Sequence, residues 1–245
     1  MTLTKTKIEY LDYCWNFYTG CLHWKTGVCP VGKDCWALKG NGRFHRDFTP
    51  TLHPKKLLDA LTRRHATKRI GVCFTGDLFG DWVNPNQEVD LTPYKWGIAP
   101  LNEAVKYIIT QRPQHQFFFL TKNPAGYQNW GVWPENAWLG ATVCNDKMLD
   151  VAVDKLEDTQ AKHKWISFEP LMGRLTLSLD YALYFSGISW VIIGGWSGGK
   201  NPPNIKWVLE IINACNKTKI PLFIKRNLSG LGIPLRQEYP RIKVV

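Results

Sequence analysis

The sequence has no apolar run approaching the roughly 18 residues that a membrane-spanning helix needs. Its opening stretch, MTLTKTKIEYLDY, has no secretory signal pattern. Internal repeats, low-complexity segments and linkers are missing too, so one α/β domain over residues 1–245 is the expectation. The absence of an HExxH motif argues against the common zinc-hydrolase design. Acidic residues are in deficit, with 20 Asp and Glu against 31 Lys and Arg and a net charge of +11. That balance favours contact with something anionic, such as a nucleic acid, a nucleotide or a phosphorylated substrate. The basic residues are nevertheless spread along the chain without a compact block, a pattern that solubility alone also explains.

What the chain does have is cysteine. Seven is an odd number, and without a signal peptide it points to a reducing cytoplasm, where clustered thiols mean metal or redox chemistry more often than disulfides. Cys21, Cys29 and Cys35 fall together in TGCLHWKTGVCPVGKDCWA. Three thiolates suit a four-iron cluster that leaves one iron open for a cofactor, whereas a structural zinc normally closes its tetrahedron with a fourth ligand. On the residues alone three readings stand: a cluster, a zinc completed by His23, His45 or Cys14, or free thiols. Cys73, Cys144 and Cys215 lie in strand or helix patterns and read as small buried hydrophobes.

Periodicity gives short β-branched and aromatic runs alternating with amphipathic stretches, the pattern of repeated β/α units on a mostly parallel sheet. Strands are expected at Ile8–Tyr13, Arg69–Phe74, Gln116–Leu120, Ala137–Val143, Lys164–Phe168, Trp190–Ile193 and Pro221–Ile224, and helices at Pro54–His65, Leu101–Gln111, Lys147–Lys162 and Ile205–Asn216. Nearly every strand runs into small or polar residues: Gly76-Asp77, Thr121-Lys122, Thr142, Glu169-Pro170, Gly194-Gly195, Lys225-Arg226. In a β/α barrel the strand C-termini converge on one mouth where active sites are built. The expected fold is therefore a TIM-type β/α barrel of six or seven parallel strands, complete or incomplete. Residues 81–99 read as an inserted loop or lid.

The ordered motifs TGC…C…CWA, GDLFGDWV, FFFLTKNP, WLGATV, SFEPLMG and WVIIGGWSG resemble the phage gene-product 37/68 family, domain of unknown function 5131, from about Ile8 to Lys225. The resemblance implies a radical S-adenosylmethionine (SAM) enzyme with a barrel-like fold, phage association and an unassigned reaction. It would make Cys21, Cys29 and Cys35 the ligands of a 4Fe-4S cluster that binds SAM and cleaves it reductively to a 5′-deoxyadenosyl radical. An electron donor such as flavodoxin or ferredoxin and a nucleotide or nucleic-acid substrate go with that reading. Two departures stand out. Cys29 and Cys35 are separated by five residues where the family has two, and Trp196 replaces a glutamate in the family's GGESG.

Within that frame Gly76 and Asp77 match a glycine-containing motif that receives the SAM amino group, with turn capping the plainer role for Asp77. Thr121, Lys122 and Glu169 are candidates for ribose or carboxylate contacts, or for a structural ion pair. Gly194 and Gly195 are candidates for close backbone approach to a cofactor. Trp196, Ser197, Lys225 and Arg226 are candidate substrate contacts, against packing and surface-charge roles. A function from a different class is a basic nucleic-acid-binding protein, zinc-stabilised or metal-free, without catalysis.

Overall fold

The computed structural model describes residues 3–43, 47–61, 67–92, 97–197 and 202–240. It is a mixed α/β fold on a large, mostly parallel sheet. The strands are β1 (Thr4–Lys5), β2 (Tyr13–Trp15), β3 (Tyr18–Thr19), β4 (Thr51–Leu52), β5 (Arg69–Val72) and β6 (Glu88–Asp90), followed by β7 (Ile98–Pro100), β8 (Gln116–Thr121), β9 (Ala137–Thr142), β10 (His163–Phe168), β11 (Ile188–Ile193) and β12 (Leu222–Ile224). Eight of them form the main sheet in the order β1-β2-β5-β8-β9-β10-β11-β12, so each strand lies next to the one that precedes it in the chain. β3 with β4 and β6 with β7 make two small antiparallel ladders.

The chain divides into two compact units. The first comprises Met1–Trp138 with Gln160–Lys162. Here β1 pairs antiparallel with β2, and β2, β5 and β8 run parallel. Phe117, Phe118 and Phe119 of β8 are all buried, which is the continuous apolar run that a strand covered on both faces requires. Helix α4 (Leu101–Thr110) turns Leu101, Ala104, Val105, Ile108 and Ile109 inward, one stripe at helical spacing.

The second unit comprises Leu139–Thr159 with His163–Val245. Within it β10, β11 and β12 are parallel neighbours. Helix α5 (Asp146–Glu157) starts at Asn145, whose side chain accepts from Met148 N–H, and α7 (Ile205–Thr218) starts at Asn204, which accepts from Lys206 N–H. Between them lies α6 (Leu179–Phe185), a helix not expected from the sequence.

The expected strands are present with one displacement. Residues 8–11 form a turn closed by Leu11 N–H to Ile8 C=O at 3.0 Å, so the strand begins at Tyr13 instead of ending there. Pro54 opens a single α-turn, α3 (Pro54–Leu57), which passes into a 3₁₀ segment at Leu58–Leu61; the rest of the expected helix lies outside the described residues. The stretch read as a lid carries the β6–β7 ladder. No helix among the described residues is long and apolar enough to cross a membrane.

Candidate functional site

In the first unit the chain leaves β3 through Gly20 and runs alongside Thr75–Asp77, the segment that follows β5. Gly20 N–H donates to Thr75 C=O at 3.2 Å and Asp77 N–H donates to Gly20 C=O at 3.3 Å, a parallel bridge between Gly20 and Gly76. Only glycine permits this approach. A Cβ on Gly76 would lie 2.6 Å from Gly20 O, and one on Gly20, whose φ is +84°, would lie 2.3 Å from Thr49 O. The space over Gly76 is thus filled by the protein's own backbone, and the next residue along is Cys21.

Cys21 precedes the four-residue helix α1 (His23–Thr26). Cys29 follows it, with its N–H donating to His23 C=O at 3.2 Å. Cys35 ends the 3₁₀ turn Gly32–Asp34 and is half-buried. None of the seven cysteines is in a disulfide. Burial pushes the Cys21 thiol up to about 12, and the nearby Asp77 carboxylate adds to the rise; a hydrogen bond from His23 N–H and the Lys122 charge act in the opposite direction. On donor chemistry these three residues fit an iron–sulfur cluster, being unpaired thiols on one short stretch of chain. They do not stand as a closed ligand set: among the described residues no three His, Cys, Asp or Glu side chains form a group that could hold a metal ion. Of the other ligands considered for zinc, His23 is committed elsewhere, Cys14 is buried in β2 with its thiol pushed up by burial, and His45 lies outside the described residues.

The polar centre of this unit is Asp77, only 5% exposed. Its Oδ1 accepts from Phe79 N–H at 3.0 Å and its Oδ2 from Lys122 N–H at 3.1 Å, while the Thr121 hydroxyl lies 2.8 and 2.9 Å from the two oxygens. His23 Nε2 completes the set, 3.0 Å from Oδ2. Burial alone would raise the Asp77 pKa, but the hydrogen bond and charge of His23, with the Lys122 and Thr121 donors, outweigh it and hold the carboxyl below its ordinary value. Asp77 and Thr121 are therefore both engaged inside the protein. Thr121 Oγ1 also accepts from Asn123 N–H at 2.8 Å, and Asn123 donates to Phe79 C=O and to Asp81, each at 2.8 Å.

In the second unit Glu169 and Lys225, at the ends of β10 and β12, form an ion pair with side chains 16% and 13% exposed. They close over Gly194, where an added Cβ would sit 2.9 Å from both Glu169 Cδ and Lys225 Cδ. Gly195 has both backbone groups taken by Asn227: its N–H donates to Oδ1 at 3.1 Å and its C=O accepts from Nδ2 at 2.9 Å. Trp196 is half-buried and lines a cleft of about 270 Å³ with Trp207, Met172, Leu171 and Pro203. Ser197 and Arg226 are exposed.

The sequence-derived candidates thus fall into two groups, with Cys21, Gly76, Asp77, Thr121 and Lys122 together in the first unit and Glu169, Gly194, Gly195, Trp196 and Lys225 in the second. His23, weighed only as a zinc ligand, and Asn227, not considered at all, are the residues that sequence reasoning missed. A histidine two residues after a cysteine is a weak signal, and a lone asparagine after a charged pair is none. Among known proteins, one family model matches the chain, described as Protein of unknown function (DUF5131), over residues 5–229. No curated protein and no solved structure matches it.

Proposed function

Because the chain belongs to the DUF5131 family, whose function is unknown, its activity has to be argued from its own residues, and we propose that it is a radical-SAM-like iron–sulfur enzyme of the β/α-barrel type. The observation that carries the reading is the position of Cys21. The first of three free thiols follows immediately on the Gly20–Gly76 crossing and stands beside the buried Asp77 centre at the strand ends. The chain-order succession of strands in the main sheet supports a barrel, since successive β/α units wound in one direction produce that order.

In this reading Cys21, Cys29 and Cys35 hold a 4Fe-4S cluster. The chemistry such a cluster supplies when bound is reductive cleavage of SAM, yielding methionine and a 5′-deoxyadenosyl radical. The positive charge of Lys122 acts on Cys21, which makes Lys122 a candidate for a cofactor carboxylate. Asp77 and Thr121, already saturated internally, organise the site in place of binding the ligand. In the second unit the cleft between Trp196 and Trp207 suits a planar ring, and the net charge of +11 favours an anionic nucleotide or nucleic-acid substrate. A cytoplasmic setting with a flavodoxin or ferredoxin as electron donor completes the proposal.

The alternative is a basic nucleic-acid-binding protein without catalysis, zinc-stabilised or metal-free. Anaerobic reconstitution with iron and sulfide separates the two. The enzyme reading expects about four irons per chain and a brown protein, lost when Cys21, Cys29 and Cys35 are all replaced by alanine. Stoichiometric zinc without iron, or nucleic-acid affinity that falls steeply with salt and survives the triple replacement, selects the binding protein.

A further inference from the structure

His23 stands two residues after Cys21 in the chain, and its carbonyl accepts from Cys29 N–H at 3.2 Å. Its side chain reaches Asp77, 54 residues further along the chain, at 3.0 Å. The ring lies edge-on to Trp82 with centroids 4.7 Å apart, and the residue is only 3% exposed. A helix of four residues, such as α1, does not hold its own shape. Asp77, by contrast, is fixed by donors from two separate segments, Phe79 N–H on one side and Lys122 N–H with the Thr121 hydroxyl on the other.

We infer that His23 and Asp77 are positioning residues: their pair fastens the loop carrying Cys21 and Cys29 to the ends of β5 and β8 and so sets where the two thiols stand, and neither side chain is a ligand to a metal or a cofactor. The fastening stands on geometry alone; its consequence for a cluster rests on the proposed function.

The cysteines themselves supply the test. Metal-free protein is alkylated with N-ethylmaleimide for timed intervals, digested, and quantified peptide by peptide. In His23→Ala, Cys21 and Cys29 are expected to label about 10- to 100-fold faster than in the wild type, the size of effect that follows from losing a buried, charge-assisted hydrogen bond that restrains local opening. Cys73, Cys144 and Cys215, all buried, are expected to keep their wild-type rates. Asp77→Asn, which keeps the shape and loses the charge, is expected to raise the same two rates by less. Unchanged labelling of Cys21 and Cys29 overturns the inference. So does a parallel rise at Cys73, Cys144 and Cys215, which would make the pair a general element of the core.

On anaerobic reconstitution the His23→Ala protein is expected to take up less iron than the wild type. If it loads iron fully but its reduced-cluster EPR signal no longer responds to SAM, the pair contacts cofactor and the inference falls. If the wild type itself loads no iron, the cluster reading fails, while the alkylation result still decides the positioning role.

Discussion

Replacing Gly76 by alanine probes the crossing on which the site is built. The new Cβ would meet Gly20 O at 2.6 Å, Gly20 N at 2.9 Å and Thr19 C at 3.0 Å, all backbone atoms that no rotamer change can remove. The crossing segment has no room to retreat, since Gly20 is itself pressed against the backbone of Phe48 and Thr49. To restore an ordinary carbon–oxygen contact of about 3.3 Å the segment must move by roughly 0.7 Å. The two hydrogen bonds of the bridge, already 3.2 and 3.3 Å long, do not survive such a shift. Losing both costs about 2 kcal/mol at about 1 kcal/mol each, and residual overpacking adds about 1–2 kcal/mol. For a chain of this size that is a fall in melting temperature of about 6–15 °C. Thermal unfolding followed by circular dichroism in reducing buffer measures it. Gly40→Ala in α2 (Trp36–Arg43) is the matched control: an added Cβ there meets nothing within 4 Å, and it is expected to hold or raise the melting temperature through helix propensity. A Gly76→Ala protein that melts within about 2 °C of the wild type refutes the close crossing.

In the second unit, Lys225→Met leaves Glu169 as an uncompensated, largely buried charge, with an expected loss of about 3 kcal/mol in urea unfolding. The double variant Glu169→Gln, Lys225→Met should recover most of it, and equal losses in the single and double variants would contradict the pairing. Asp77 predicts an acid dependence. Its folded pKa lies below the ordinary carboxylate value, so it contributes stability above the unfolded pKa of about 3.9 that is lost as pH falls through the folded value. The stability difference between wild type and Asp77→Asn should therefore be steady above about pH 5 and shrink below about pH 4; a constant difference across that window would show that the charge is not involved.

Much of the architecture was legible because it rests on local pattern. The β8 phenylalanines and the β11 run Val191–Ile193 are apolar without interruption, and the helices α4, α5 and α7 carry stripes at helical spacing with asparagine caps on the latter two. α6 was missed because Tyr181, Tyr184 and Phe185 have strand-like propensity, and its buried stripe is only Leu179, Ala182 and Leu183. The first strand was displaced: Asp12, expected inside a strand over Ile8–Tyr13, has its side chain accept from Arg69 N–H at 2.8 Å, which ties residue 12 to β5.

The site was legible in its residue types and not in its partnerships. Gly76 was expected to make room for a ligand, and it makes room for Gly20; Asp77 was expected at a strand end, and it is there with its oxygens filled. Gly194 and Gly195 likewise serve the Glu169–Lys225 pair and Asn227. Such pairings join residues tens of positions apart and follow from tertiary packing, which no local motif encodes.

The central claim is that Cys21, Cys29 and Cys35 support SAM cleavage, and the most direct measurement is 5′-deoxyadenosine formed by the anaerobically reconstituted, reduced protein given SAM. The proposal predicts that 5′-deoxyadenosine accumulates with the wild type and falls to the reductant-only background in the Cys21→Ala, Cys29→Ala, Cys35→Ala protein. Iron-loaded wild type that forms no 5′-deoxyadenosine above that background, or a triple variant that forms as much as the wild type, would contradict it.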